Sequence, residues 1–284
     1  TVAQLANAPA DAVMKLWEGL GYYSRARNMH AAAKQIVADF DGKLPDNYID
    51  LLKLKGVGPY TAAAISSICF NKKHAVVDGN VYRVLARIFG IETPINSSAG
   101  IKIFNDLANS FIQNSPDPGE YNQAIMEFGA LHCTPKSPKC HTCIFGQNCV
   151  AFATGRVEIL PVKSKANPLK NRYLNYLLFV DDHQIVIEKR TEKDIWAGLY
   201  QFPLLETETN LNTMENVELL AFSVKHILSH QRLFVSFWMQ NRQPTLLKDG
   251  QILVGLNELN HYAFPIVLKR FIDSNLLHLQ PRLP

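Results

Sequence analysis

LKLKGVGPYTAAAI, residues 52–65, decides how the first half of this chain folds. Apolar residues at helical spacing run up to Lys55, Gly56-Val57-Gly58 interrupt them, and Pro59 opens a second, alanine-rich helix. Proline suits that first position because its missing N–H is one that no helix uses. Two glycines in three residues let the turn come close to another backbone. The next helix begins with N–H groups free to meet an anion such as a DNA phosphate, without base readout. Taken alone, such a turn more often just joins two packed helices.

Working outward, the same helical texture fills the first 150 residues. DAVMKLWEGL stops at Gly19-Leu20-Gly21; RARNMHAAAKQIVADF follows a capping Ser24 and ends at Gly42; Asp46 can cap NYIDLLKL. NVYRVLARIF closes at Gly90, AGIKIFNDLANSFIQ follows Ser97, and EYNQAIMEFGALH follows Pro118. With no clear strand between them, residues 1–153 read as an all-α domain. Residues 154–171 are basic, proline-containing and without periodicity, and read as a linker. Beyond them YLNYLLFV, a turn at Asp181-Asp182, IVIEKR and RLFVSFWM read as strands, and PIVLKRFIDSNLL as a closing helix. Residues 172–284 are therefore expected to form an α+β domain.

Composition narrows the class. Hydrophobic residues are 47% and charged residues 19%, which excludes a disordered tail, and no apolar run is long enough to span a bilayer. The net charge of +4 is shared evenly between the two halves, so it permits a polyanionic partner without demanding one.

Of five cysteines, four fall close together: Cys133, Cys140, Cys143 and Cys149, spaced Cys-x6-Cys-x2-Cys-x5-Cys. Such density points to a metal site, either tetrahedral zinc or a [4Fe–4S] cube, and the single Cys-x-x-Cys favours the cube. Cys69, alone in AAAISSICF, is expected to be a small buried hydrophobe. The loop CTPKSPKC also offers Lys136 to a phosphate. In HAVVDGNVYRVLAR, Asp78 stands directly before a helix, where in isolation it reads as an N-cap.

Together the hairpin LxGVGxxTA, the VDxNVxR aspartate and the cysteine spacing resemble the helix-hairpin-helix DNA glycosylase superfamily, whose loop holds a [4Fe–4S] cluster. Endonuclease III-like members carry a lysine two residues after GVG, which forms a Schiff base with the sugar. Here position 60 is tyrosine, and a phenol cannot make that imine. Tyr60 and GLGYYSRARNMH look like the MutY-type adenine glycosylases, which remove adenine mispaired with 8-oxoguanine. The resemblance implies that Asp78 stabilises the oxocarbenium-like sugar, that Asn80 orients that carboxylate, and that Tyr60 packs beside it. It also implies that Tyr22, or alternatively Tyr23, wedges into the base stack as adenine is flipped out, with Arg25 and Arg27 as candidate phosphate contacts. Gly56, Val57 and Gly58 would cradle the DNA backbone.

Downstream, IWAGLYQFP, KHILSHQRLFVSF and NHYAFP resemble the Nudix-like C-terminal domain of the same enzymes. No acidic REUXEE helix is present, so this domain is expected to bind and not to hydrolyse. Where family members meet 8-oxoguanine with Phe-Ser-His, this chain has Leu228, Ser229 and His230. The implied partner is duplex DNA with adenine opposite 8-oxoguanine, met by a monomer inside the cell, in the cytoplasm or nucleoid of a bacterium. The resemblance also implies that the proton-donating glutamate lies upstream of the segment matching Thr1. Glu18 and Glu127 do not sit in its motif, so this chain alone is expected to bind DNA without excising. A thymine or other mismatch glycosylase, and a non-catalytic lesion-binding fragment, are the alternatives.

Overall fold

The computed structural model describes residues 1–165, 168–181, 183–191, 194–215, 217–240 and 246–279. Among the described residues nine α-helices precede the sheet: α1 Val2–Asn7, α2 Ala10–Leu16, α3 Ser24–Asp39, α4 Tyr48–Leu51, α5 Pro59–Phe70, α6 Gly79–Phe89, α7 Ser98–Ile112, α8 Pro118–Leu131 and α9 Val150–Ala153. Their ends follow local chemistry. Ser97 caps α7 through Gly100 N, and Asp117 caps α8 through Glu120 N. Gly90 closes α6 with a left-handed φ of 66°.

Three local expectations are corrected. Asn47, not Asp46, caps α4, because its side-chain oxygen reaches Asp50 N at 2.9 Å while Asp46 turns to Lys72. The DAVMKLWEGL helix stops early, at Leu16. Cys69 is exposed, since the last turn of α5 carries it away from the face that buries Ala62, Ala63 and Ser66.

The β-strands are β1 Lys170–Asp181, β2 Gln184–Lys189, β3 Tyr200–Gln201, β4 Leu204–Thr207, β5 Glu218–Ile227, β6 Gln231–Gln240 and β7 Gln251–Gly255, followed by α10 Ile266–Leu279. They form one mixed sheet. β1 runs parallel to β6 from Lys170↔Gln231 to Phe179↔Gln240, and antiparallel to β4 and, at its end, to β2. β7 pairs with β2, and β5 returns along β6 as a hairpin. Asp182, placed in a turn by the sequence, lies outside the described residues. Alternation along β1 sends Leu174, Tyr176 and Leu178 into the core with Leu233, Val235 and Phe237 of β6. Between β4 and β5 no helix occurs among the described residues.

Contacts divide the chain into two compact units, 1–34 with 167–284, and 35–166. The grouping differs from a simple cut after residue 153. Val13, Met14, Tyr23 and Ala26 are buried in the same core cluster as Phe202, Phe264 and Phe271, so the first helices pack with the sheet. The helical unit has its own core around Val81, Leu85, Phe104, Ala108 and Ile112. Among the described residues no helix is long and apolar enough to cross a membrane.

Candidate functional site

In the helical unit, Asp78 is the N-cap of α6. Its Oδ1 accepts Asn80 N at 2.9 Å and Val81 N at 2.8 Å. Its Oδ2 accepts the side-chain amide of Asn80, also at 2.9 Å. Backbone capping therefore uses one oxygen and leaves the other to the Asn80 side chain. Asn80 Oδ1 in turn accepts from Arg83 Nη2 at 2.8 Å.

Arg83 is 7% exposed, and it ties this carboxylate to the cysteine loop. Its Nε donates to Cys133 O at 2.6 Å, and Nη2 also donates to Gly129 O. One turn further, Arg87 donates to Thr134 O at 2.7 Å, to Val157 O at 3.0 Å and to Leu160 O at 3.1 Å. Burial pulls the Arg83 guanidinium below its usual range, and the nearby Cys133 thiol opposes this. Neither arginine was singled out from the sequence. The signal was there: two arginines four residues apart, on a helix whose other buried positions are Val81, Val84, Leu85 and Ala86. A buried cation needs acceptors, and carbonyls of the two flanking segments supply them.

The hairpin joins α4 to α5. Gly56 has φ of 78°, which only glycine adopts freely. Val57 N closes the turn on Leu54 O at 3.1 Å. Gly58, the N-cap of α5, has φ of −94° and open space where a Cβ would stand, so nothing in the fold demands glycine there. Gln35 of α3 steadies the approach, accepting Lys55 N at 2.7 Å. Tyr60, half exposed on the first turn of α5, holds its hydroxyl 4.0 Å from Met126 Sδ on α8. The same α8 presses Gly129 against Asn80, where an added Cβ would lie 2.7 Å from Asn80 Cβ.

The four cysteines of the loop line one cavity, walled by apolar side chains including Ile88, Phe128, Phe145 and Phe152. Cys149 donates its thiol to Arg87 O at 3.3 Å, and Arg87 Nη1 reaches Cys133 Sγ at 3.5 Å. Burial, with the neighbouring Cys133 and Cys149, pushes the Cys140 thiol up. Yet among the described residues no three His, Cys, Asp or Glu converge as a single ion requires. Zinc–sulfur bonds of about 2.3 Å would draw four thiolates onto one point. A cube with one thiolate per iron holds them further apart and needs an enclosed, apolar space. Four thiols lining one apolar-walled cavity are a donor set that a thiolate-held cube could use. Lys136 is exposed on the same loop, its carbonyl accepting Thr134 Oγ1 at 2.9 Å.

In the unit that holds the sheet, Tyr22 has φ of 47° and is 71% exposed, whereas Tyr23 is buried with its hydroxyl 3.5 Å from Phe264 O. The Arg25 guanidinium lies over both the Trp17 and Tyr22 rings, 5.5 and 5.3 Å from their centroids. Arg27 donates Nη1 to Ala197 O at 2.6 Å. Glu18 is committed to Lys15 and to Phe264 N, and Glu127 is exposed on α8 in the helical unit. Leu228, Ser229 and His230 form the tip of the β5–β6 hairpin, closed by Leu228 N to Gln231 O at 2.9 Å. Leu228 packs on the core, while Ser229 and His230 are exposed, their side chains 3.2 Å apart.

Residues 1–109 match the family model of the HhH-GPD superfamily base excision DNA repair protein, and residues 175–274 match that of the NUDIX domain. An adenine DNA glycosylase of Buchnera aphidicola subsp. Baizongia pistaciae is 32% identical over 95% of this chain and 79% of its own length. The chain belongs to the adenine DNA glycosylase family. A second relative of that name, from Buchnera aphidicola subsp. Schizaphis graminum, is 36% identical over 73% of this chain; the match spans 59% of that relative's length. Among solved structures, a thermostable thymine-DNA glycosylase is similar at 30% identity, with a TM-score of 0.50 over 54% of this chain and 70% of its own.

Proposed function

We propose that this chain supplies the base-release site and the lesion-reading surface of a monofunctional glycosylase that removes adenine opposite 8-oxoguanine. The observation that carries the reading is the Asp78 carboxylate, locked by two backbone N–H groups with its second oxygen oriented by the Asn80 amide. As the N-glycosidic bond breaks, positive charge grows on the sugar, and a fixed carboxylate stabilises it without reorganising. Asn80 holds the carboxylate's direction, and Tyr60 flanks the site without amine chemistry, so no Schiff base forms and the strand stays uncut.

Gly56, Val57 and Gly58 present backbone to a DNA phosphate, with Lys136 as a separate phosphate contact. Tyr22 is the wedge, its exposure favouring it over Tyr23, and Arg25 braces it; Arg27 joins them at the phosphates. Ser229 and His230 read 8-oxoguanine, with Leu228 as their apolar support. The sequence carries no acidic REUXEE motif, and on that ground we read the Nudix-like domain as binding and not hydrolysing. Functionally we divide the chain into a glycosylase domain at 1–153, a linker at 154–171 and a lesion-reading domain at 172–284.

Cys133, Cys140, Cys143 and Cys149 would hold a [4Fe–4S] cluster, which when bound supplies thiolate cross-links that fix the loop bearing Lys136. Metal analysis of anaerobically prepared protein should find about four irons per cluster-bearing chain; stoichiometric zinc would overturn this. Single-turnover release from duplexes with adenine opposite 8-oxoguanine, guanine or cytosine tests the substrate, using the intact protein. Faster release of thymine from a G·T pair than of adenine would instead favour the thymine-specific alternative.

A further inference from the structure

No role assigned above uses His132. It is the residue after α8 and directly before Cys133, and its backbone is fully engaged: N–H to Phe128 O at 3.0 Å, and C=O from Lys139 N at 3.2 Å. The ring stacks on Phe128 with centroids 5.1 Å apart and planes 14° from parallel. Phe128 is itself fixed by the edge of Phe145 at 5.4 Å. The imidazole lines the same cavity as the four cysteines. Its Nε2 is sealed from solvent and has no hydrogen-bond partner among the described residues.

A polar nitrogen shut away from water destabilises a fold unless something else meets it. Around this cavity the neighbouring walls are aromatic or aliphatic, and Arg87 already directs one nitrogen at Cys133 Sγ. Sulfur carrying negative charge is the acceptor that a filled cavity would provide, and it favours the tautomer with the proton on Nε2. We infer that His132 is an outer hydrogen-bond donor to the cluster's sulfur and that it raises the cluster's reduction potential. The inference rests on the cluster reading given above. An N–H donated to sulfur stabilises the more negative, reduced state, so losing it moves the potential down.

Protein-film voltammetry on iron-loaded intact protein compares the wild type with His132→Leu and His132→Gln. Leucine removes the donor and keeps apolar bulk; glutamine carries its amide nitrogen about as far from Cβ as Nε2 stands. The expected result is a lower potential for the leucine variant, with glutamine close to wild type and iron content equal in all three. Pulsed EPR of wild-type protein labelled with 15N-histidine, in the paramagnetic state of the cluster, should show coupling to a ring nitrogen. Its absence decides against the inference even where a variant fails to retain iron, and its loss in an iron-replete leucine variant assigns it to His132 and not to His141, which lies between Cys140 and Cys143. An unchanged potential in an iron-replete leucine variant overturns the inference. So does an equal fall in both variants, or the absence of nitrogen coupling. Wild-type protein without iron overturns the cluster reading instead, and metal analysis reports that before any potential is measured.

Discussion

Asp78 and Asn80 are held from three sides: by the first N–H groups of α6, by Arg83, and by the backbone of Gly129 on α8. The third side is the least forgiving. A Cβ at residue 129 would sit 2.7 Å from Asn80 Cβ and 3.0 Å from Asn80 O, and neither is the free end of a flexible chain. Gly129→Ala must therefore push Asn80, and with it the amide that orients Asp78 Oδ2. Overpacking of this kind costs about 1–3 kcal/mol of stability. Misplacing a reacting group by about 1 Å can lower a rate roughly 100-fold. We expect the variant of the intact protein to bind its duplex nearly as wild type does and to release adenine about 10- to 100-fold more slowly, an estimate from the same positioning argument. Single-turnover rates beside binding isotherms check this; equal losses in both would mean general unfolding.

At the scale of elements, the hairpin and the β5–β6 tip separate structural from functional demands. Gly56→Ala forces a left-handed φ on a residue with a side chain and should cost about 1–2 kcal/mol in thermal or denaturant unfolding. Gly58→Ala meets ordinary φ and open space, so its stability should change by less than about 0.5 kcal/mol. If DNA backbone passes close to residue 58, that substitution alone weakens duplex binding; unchanged affinity would place the phosphate elsewhere. At the other hairpin, a neutral hydrogen bond is worth roughly 0.5–1.5 kcal/mol. Ser229→Ala should thus reduce preference for 8-oxoguanine over guanine by about 2- to 10-fold, with general duplex affinity kept. Helix punctuation made most of this legible beforehand: Gly90, Ser97 and Pro118 stand where α6 ends and where α7 and α8 begin. What the sequence could not show was tertiary. The carbonyl partners of Arg83 and Arg87 and the Gly129 contact depend on which segments meet, and Cys69 was misread because an apolar run does not say which face of α5 is covered.

Taken as a whole, the molecule sets the sheet unit a problem of its own, namely how to bury charge beside a core of aromatic rings. Arg172 on β1 answers it by donating to Asp194 at 2.7 and 2.8 Å and to Glu206 at 2.6 and 2.7 Å, while Arg190 also reaches Asp194 at 2.7 Å. Hydrogen bonds from Arg172 hold both carboxyls below the usual carboxylate range, with burial opposing, and the same pairing raises the Arg172 guanidinium. Because the folded values are depressed, the stabilisation is present above the ordinary carboxylate pKa of about 4 and is lost as pH falls through the depressed values. Glu206 is 40% exposed at its side chain and Asp194 25%, so solvent screening trims the effect. Arg172→Met, which keeps the apolar stem, should cost roughly 1–3 kcal/mol at neutral pH, the worth of losing hydrogen bonds to charged groups. As pH falls from neutral through the depressed carboxyl values the two proteins should converge, since protonated carboxyls no longer distinguish them. Chemical denaturation followed by tryptophan fluorescence at several pH values tests this, with Trp196 and Trp238 both buried in this unit. A constant gap between the curves across that range would show that Arg172 acts by packing and not by charge.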